Sequence, residues 1–486
     1  MHCWQLHWRK QKMRMKIYFV TSSKQKYEEM EKIFDLPGSE LVYYEKDIAE
    51  LQTEDEETLV RHKVLEAFKE LRRPVMIEHS ALRINAFGKL PGLQTRNFYD
   101  KIGYQNIIDF CKMKDCYEAE AESIIGICDG KSIEIVKGID PGTIVNSTAA
   151  LVKGFSWDEV FVPTKNNPHK KTYAQMGEEK HERSMRKQAW DAMKSRLLNK
   201  QDGFLTGSEE TVQLKQLAKL IKEKKVMLFV GAGISASVKL PTWGRLIEQL
   251  GAKKGFDKDL FQCYGDNMLL AEYADLDGNV YEELKNNFDI QNNTELCERL
   301  EKSEIYQKIY ELDFPVIYTT NYDHLIEEYY KQKGKREYTV IKNIEDMSEL
   351  KTGQTRIMKF HGDLEDEQSI VLSESQYFKR MDFQNFMDIQ LQADMLQYKI
   401  LFLGYSLSDI NIKLLLYLAR KRAHINEKSE SQQEFNAYIF TATPNQVQKD
   451  VFAKNRIASL SGDMADKEKG TLEFLKQLLD LGKVVS

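Results

Sequence analysis

The 486-residue sequence lacks the features that mark several large classes of protein. It has six cysteines and no C-x-x-C pair, which argues against a zinc ribbon and against a disulfide framework. No run of apolar residues approaches about 18, so no membrane span is expected. Nine prolines are too few for a linker-like or fibrous chain. These absences favour a folded, reduced protein of the cytoplasm.

An excess of charge of one sign is missing as well. Lys and Arg number 70 against 75 Asp and Glu, a formal net charge of −5. The chain has no overall positive field for nucleic acid and no polybasic tail for a membrane surface. The first 14 residues lack the apolar centre of a signal peptide, and Met13 or Met15 is a candidate start.

What is present predicts a large α/β protein. Hydrophobic residues make up 42% of the chain, and at about 150 residues per domain the length allows two or three domains. A polar, turn-rich linker at 197–210 separates two predicted domains, 15–196 and 211–486. Both mix amphipathic helices, such as the one predicted over 56–71, with short apolar strands, such as the one over 74–77.

Four apolar strands of the second domain each end in a polar or glycine-rich turn. The strands are predicted at 226–230, 315–318, 356–360 and 400–403. Ligands of open parallel sheets bind outside the carboxyl ends of the strands, so four polar ends predict one shared nucleotide site. Each turn alone also fits a simpler interpretation: Asn321 as a turn residue, Asp323 as a helix cap, His361 as a satisfied strand-end histidine.

Together the four turns resemble the sirtuin-like superfamily, over residues 210–486. The matching segments are 231–235 with 240–243, then 320–323, 360–363 and 404–407. The resemblance implies a Rossmann-like parallel-sheet domain with a helical insertion and NAD⁺ as substrate. It assigns catalysis to Asn321 and His361. It assigns NAD⁺ binding to Gly231, Ala232, Gly233, Ser235, Asp323, Gly404 and Ser406.

The chemistry and the missing cysteines narrow this expectation. Cleavage of the nicotinamide–ribose bond builds positive charge on the ribose, and a histidine supplies a base whose pKa lies near neutral pH. Protein-deacylating sirtuins carry four zinc-binding cysteines, whereas the region 246–313 is charged and helical here. The sequence thus resembles bacterial sirtuin-like effectors that hydrolyse NAD⁺ without zinc. A protein deacylase or an ADP-ribosyltransferase stays open as an alternative.

The first domain resembles the inosine triphosphate pyrophosphatase family over residues 15–196. The family patterns fall on 21–26, 78–82, 90–92, 155–158, 171–174 and 180–186. The resemblance implies a mixed α/β nucleotide pyrophosphatase-like fold that binds a purine nucleotide such as ITP or dITP, with Mg²⁺ as a candidate companion. It assigns Glu50 to the metal. It assigns nucleotide binding to Thr21, Lys26, Phe155, Trp157, Asp158, Lys180 and Arg186.

This domain departs from its family at the residues for hydrolysis. His79 stands in place of the acidic residue assigned to catalysis, and Ser23 and Met185 also differ from the pattern. A neutral imidazole does not replace a carboxylate in magnesium chemistry. We therefore expect a domain that binds a nucleotide and hydrolyses it poorly or not at all. An active pyrophosphatase with a regulatory sirtuin-like domain, and a pure binding module, are the alternatives.

The pairing of the two domains resembles antiphage sensor–effector proteins of the Kongming type, in which a modified-purine signal triggers NAD⁺ depletion. The resemblance implies a nucleotide-regulated NAD⁺ hydrolase. We expect a cytoplasmic homo-oligomer without nucleic-acid or membrane partners.

Overall fold

The computed structural model describes residues 15–145, 156–199, 208–290, 293–407, 409–422, 435–462 and 466–484. The chain divides into two compact units, Met1–Thr206 and Gly207–Ser486. Both units mix helices with strands, which confirms the predicted α/β class. Within the residue ranges given above, no helix has the length and the hydropathy to cross a membrane.

The first unit contains seven strands and seven α-helices in its described part. They are β1 (Met15–Val20), α1 (Lys24–Ile33), β2 (Ser39–Tyr44), α2 (Glu56–Leu71), β3 (Val75–Ile84), β4 (Pro91–Gly92), α3 (Thr95–Ile102), α4 (Tyr104–Lys114), β5 (Glu118–Cys128), β6 (Ile133–Ile144), β7 (Phe161–Pro163), α5 (Tyr173–Met176), α6 (Glu179–Arg183) and α7 (Met185–Leu198).

The sheet of the first unit is mixed. Its order is β2-β1-β3-β5-β6-β7, with the short β4 beside β3. β1 pairs in parallel with β2 and β3, whereas β5, β6 and β7 continue antiparallel. Helix α2 confirms the prediction over 56–71: its buried side chains recur at helical spacing, and the Asp55 carboxylate caps it by accepting from the Thr58 amide.

Strand β3 is longer than the predicted 74–77. It runs to Ile84 because β5 pairs with it over ten residues, from Val75 opposite Cys128 to Ile84 opposite Ala119. Glu78 and His79 therefore lie inside a strand, where consecutive side chains project to opposite faces. Local sequence underestimates the length of such a strand, because its paired residues lie between 35 and 53 positions away along the chain.

The second unit begins with α8 and ends with α21. Its elements are α8 (Ser208–Lys222), β8 (Val226–Val230), α9 (Ala232–Ser235), α10 (Trp243–Lys253), α11 (Lys258–Gln262), α12 (Asn267–Asp275), α13 (Val280–Phe288), α14 (Thr294–Glu301), α15 (Glu304–Leu312), β9 (Val316–Thr319), α16 (Leu325–Lys333), β10 (Tyr338–Ile341), β11 (Thr355–Lys359), α17 (Glu374–Lys379), α18 (Phe386–Gln397), β12 (Lys399–Leu403), α19 (Ile410–Arg422), β13 (Ala437–Thr441), α20 (Gln446–Lys454), β14 (Ile457–Ser461) and α21 (Lys467–Val484).

The sheet of the second unit is parallel throughout, in the order β10-β11-β9-β8-β12-β13-β14. The central strand β8 is fully buried, and its side chains alternate between two cores: Leu228 and Val230 pack on one face, Met227 and Phe229 on the other. Burial on both faces is the reason why these strands read as unbroken apolar runs. The fold confirms the predicted Rossmann-like sheet, and helices α10–α15 form the predicted helical insertion.

Candidate functional site

The four polar strand ends of the second unit lie side by side. Strands β11, β9, β8 and β12 are consecutive neighbours in the sheet, and all four run in the same direction. After β8 the chain forms β9, β10 and β11 on one side of β8. It then crosses to the other side of β8, where β12 is the neighbouring strand. The order of strands reverses between β8 and β12, which is where open α/β sheets bind ligands.

Glycines at this reversal point allow the loops after β8 and β12 to touch. The Gly231 amide donates to the Leu403 carbonyl at 3.0 Å, and the Gly233 amide donates to the Gly404 carbonyl at 2.9 Å. A Cβ atom on Gly233 would lie 2.9 Å from the Gly404 Cα. Gly404 itself has a φ of +63°, which favours glycine. Both amides already donate to carbonyls. The expected role of Gly231 and Gly233 in phosphate binding is therefore to leave space for the phosphate, because they have no side chains.

Gly233→Ala is expected to destabilise the second unit by about 1–3 kcal/mol, because the added methyl meets backbone atoms that cannot rotate away. Gly244→Ala is the matched control. Its Cβ would lie 3.7 Å from Asn267, and it lies within α10, where alanine favours the helix. Urea unfolding of the two variants and the parent measures the difference. Equal stability of Gly233→Ala and the parent would contradict the close contact.

A chain of hydrogen bonds connects the loops after β8 and β9. The Asn321 amide nitrogen donates to Ser235 Oγ at 2.9 Å, and Ser235 Oγ donates to Asp323 Oδ2 at 2.7 Å. The three residues are between 1% and 8% exposed. Burial raises the pKa of Asp323, although Lys359 and Ser235 partly offset this effect. The structure thus brings together three predicted site residues with their side chains held in place.

Lys359 is a site-forming residue that was not among the predicted ones. Its ammonium group donates to the Asp323 carbonyl at 2.6 Å and lies 3.1 Å from Glu327 and 3.6 Å from Asp363. Its side chain is fully buried, so it ties the loop after β9 to the loop after β11. A lysine at the end of a buried strand was the signal in the sequence, because a buried lysine requires partners.

His361 is buried at the end of β11 and is 3% exposed. Its Nε2 lies 3.2 Å from Asp409 Oδ2, and its ring meets the Tyr377 ring edge-on at 5.3 Å. Burial lowers the pKa of His361 to about 4. This effect outweighs the negative charge of Asp409, which raises the pKa. The expectation of a pKa near neutral pH is therefore wrong, and the imidazole is neutral at pH 7.

Asp409 is the second residue that sequence reasoning missed, since the last segment that matches the family pattern ended at residue 407. Its side chain is 7% exposed, accepts from the Ile412 amide at 3.1 Å, and lies 3.4 Å from the Tyr377 hydroxyl. Its place in the polar turn after β12 was the available signal. A buried carboxylate beside an imidazole orients the ring and stabilises the imidazolium that forms on proton uptake.

The depressed pKa of His361 predicts acid instability of the second unit. The unfolded histidine binds a proton below about 6.5, whereas the folded one stays neutral to about 4. Stability present above pH 6.5 is therefore lost as the pH falls towards 4, by about 3 kcal/mol. His361→Gln does not titrate, so its stability should fall less over this interval. Melting temperatures of both proteins between these pH values provide the test, and parallel curves would contradict it.

The first unit joins four of its expected nucleotide-binding residues in one buried ion network. The Lys26 ammonium lies 3.0 Å from Glu78, Arg186 pairs with Glu29 and Glu78, and Lys180 pairs with Glu29 and Asp158. Burial raises the pKa of Asp158, although Lys180 partly offsets this. The network's cations already hold carboxylates, so a bound phosphate must compete with these carboxylates.

The other expected residues of this unit are placed differently. Thr21 accepts from the Ser23 amide at 3.1 Å, just before α1. Trp157 is 5% exposed and packs in the core against Phe161 and Tyr173, so its ring is a core side chain here. Phe155 lies outside the described residues.

Glu50, the expected metal ligand, already has two nitrogen neighbours. Lys63 Nζ donates to Glu50 Oε1 at 2.7 Å, and His79 Nδ1 lies 3.6 Å from the same oxygen. Hydrogen bonding to His79 and Lys63 lowers the pKa of Glu50 to about 2 against the opposing effect of burial. The carboxylate is ionised, and its Oε1 lies beside two nitrogen-bearing protein side chains.

The second unit also has a groove of about 1170 Å³ away from the strand ends. It lies beside the beginning of β12, where Lys399 and Ile400 line it together with side chains of α18, α19 and α20. Neither Asn321 nor His361 is among the residues that line this groove.

Comparison with known proteins matches each unit separately. The family model for the Ham1 family matches residues 17–196, and that for the SIR2-like domain matches residues 315–460. An inosine triphosphate pyrophosphatase of Kluyveromyces lactis is 32% identical over 192 residues, which cover 38% of this chain and 96% of that protein. The chain belongs to the Ham1 family. We call the first unit the Ham1 unit and the second the SIR2-like unit.

A relative of the SIR2-like unit is the NAD(+) hydrolase ThsA of Enterococcus faecium. It is 29% identical over 211 residues, 43% of this chain and 42% of that protein, so this chain spans less than half of its length. For the Ham1 unit, a dITP/XTP pyrophosphatase of Korarchaeum cryptofilum is 32% identical over 165 residues, 33% of this chain and 85% of that protein. Both predicted resemblances are thereby confirmed.

Proposed function

We propose that the SIR2-like unit hydrolyses NAD⁺ to nicotinamide and ADP-ribose. The observation that carries this proposal is the placement of Asn321 and His361 on neighbouring strand ends, beside the glycine loops of β8 and β12. The relation to an NAD(+) hydrolase supports the choice of substrate. The remaining expected residues, Ala232 and Ser406, belong to the same two loops, where we propose that they contact NAD⁺.

The side chains of the site fit the chemistry of glycosidic cleavage. Neutral His361 accepts a proton from the attacking water, and Asp409 stabilises the resulting imidazolium. Asn321 donates to Ser235, which leaves its carbonyl oxygen to accept from the water or from a ribose hydroxyl. Nε2 of His361 faces Asp409 without an aligned hydrogen bond within the described residues, so a proton on this nitrogen lies beside the Asp409 carboxylate.

We further propose that the Ham1 unit binds a purine triphosphate of the inosine type and hydrolyses it poorly. Four expected binding residues meet in one buried network, and the relatives of this unit include inosine triphosphate and dITP/XTP pyrophosphatases. The imidazole of His79 takes the position of the family's acidic residue, so water activation is weakened. Nucleotide binding then switches on NAD⁺ hydrolysis, and we propose that the resulting NAD⁺ depletion serves defence against phage.

The experiment for this proposal measures NAD⁺ consumption by the full-length protein with ATP, dATP, ITP, dITP and XTP in turn. We expect a low basal rate that rises with an inosine-type nucleotide, and release of nicotinamide and ADP-ribose in equal amounts. Nicotinamide without free ADP-ribose would instead indicate transfer to an acceptor. A high rate that no nucleotide changes would refute the regulation and leave a constitutive enzyme.

A further inference from the structure

Glu50, Lys63 and His79 form a cluster that we call the Glu50 cluster. Lys63 Nζ and His79 Nδ1 both approach the same oxygen of Glu50, at 2.7 and 3.6 Å. The other ring nitrogen of His79 lies 3.0 Å from the Leu93 carbonyl oxygen. The Lys63 and His79 side chains are 13% and 7% exposed and are enclosed by the protein, whereas the Glu50 side chain is 39% exposed.

The Glu50 cluster does not fit a magnesium ion. Mg²⁺ requires near-octahedral oxygen ligands and is held in proteins through carboxylates. Here the groups beside Oε1 of Glu50 are an ammonium group and an imidazole, and neither supplies an oxygen ligand. In the described part of the chain, the one set of three convergent potential ligands is His324, Asp363 and Glu365, which belongs to the other unit.

The carboxylates of the ion network in the same unit are also paired with protein cations. Glu78 pairs with Lys26, Asp158 with Lys180, and Glu29 with Lys180 and Arg186. With the Glu50–Lys63 pair, four cationic and four carboxylate side chains balance. A carboxylate at position 79 would leave a negative excess that a divalent cation is suited to neutralise; an imidazole leaves none.

We propose that the Ham1 unit binds its purine nucleotide without a divalent cation, with His79 and Lys63 in the place of a metal at Glu50. The proposal rests on the proposed nucleotide-binding function. The lysine and arginine side chains meet the phosphate oxygens directly, through charge-assisted hydrogen bonds. Without ligands for a metal there is also no metal-activated water, which agrees with weak hydrolysis.

The test is titration calorimetry of ITP into the full-length protein, in excess Mg²⁺ and in EDTA. For the parent we expect dissociation constants that differ by less than about threefold. His79→Asp supplies a second carboxylate beside Glu50, so Mg²⁺ should tighten its ITP binding by at least about tenfold. His169→Asp adds the same carboxylate at an exposed position of the same unit and should behave like the parent.

Each other outcome overturns a distinct statement. If EDTA weakens ITP binding to the parent by about tenfold or more, the metal-free proposal fails and the nucleotide-binding function stands. If ITP binds in neither buffer, the nucleotide-binding function itself fails. A folded His79→Asp protein that ignores Mg²⁺ would refute the role given to His79. The comparison of buffers on the parent decides even if that variant does not fold.

Discussion

Replacing His361 by alanine is expected to lower the rate of NAD⁺ cleavage by about 10²–10⁴-fold, the usual loss for a general base. The ring is neutral at pH 7, it is buried at the strand end, and Asp409 lies ready to stabilise its protonated form. Asn321→Ala should reduce the rate in the same direction, because the amide that Ser235 holds in place is lost. Nicotinamide release at saturating activating nucleotide is the measurement.

Stability and catalysis must be separated in this experiment, because His361 is 3% exposed and its removal leaves a cavity. His361→Gln fills more of that space but cannot act as a base of similar strength, so it should be as inactive as the alanine variant. Asn343→Ala, at an exposed position of the SIR2-like unit, should keep the parent rate. Nicotinamide release at the parent rate by a folded His361→Ala protein would refute the assignment.

Removing the Lys26 ammonium is expected to abolish activation by nucleotide without changing the SIR2-like site. Shifting an enzyme from about 1% to 99% active requires a preference of roughly 10⁴-fold for the active state, or about 5.5 kcal/mol. We propose that contacts between phosphates and the cations of the Ham1 unit supply this preference. Lys26→Gln removes one such cation and, in titrations with ITP or dITP, should give a flat rate at the basal level.

Lys24→Gln is the matched control for this variant. Lys24 begins the same helix α1, but its side chain is 77% exposed and 3.9 Å from Glu28, so its loss should leave activation intact. Trp157→Ala is a poorer test of nucleotide binding, because Trp157 lies in the core. Its removal is expected to lower the free energy of unfolding by about 3–5 kcal/mol. Activation of Lys26→Gln at the parent's nucleotide concentration would show that Lys26 has no role in sensing the nucleotide.

The coupling between the two binding sites must also be reciprocal, so NAD⁺ analogues should tighten nucleotide binding.

Local sequence was enough to predict the strands of the SIR2-like sheet and the polar turns that follow them. Apolar runs identify the strands, and the polar turns between them identify the strand ends. Parallel strands that are buried on both faces tolerate polar groups mainly at their ends. The pattern places Asn321, Asp323 and His361 in the turns after the strands, whereas their roles are what the family resemblance implies. Strand lengths follow less well: β3 extends seven residues past its predicted end because of its pairing with β5, which local composition does not report.

The sequence by itself determined the two-part α/β organisation and the chemical groups at the strand ends. The tertiary structure alone decided what surrounds those groups. It buried His361 beside Asp409 and so set its pKa, it brought Gly233 against Gly404, and it placed Lys63 and His79 around Glu50. The physical reason is that burial, electrostatic fields and close backbone contacts arise between residues far apart in the chain, whereas periodicity and turn chemistry act between neighbours.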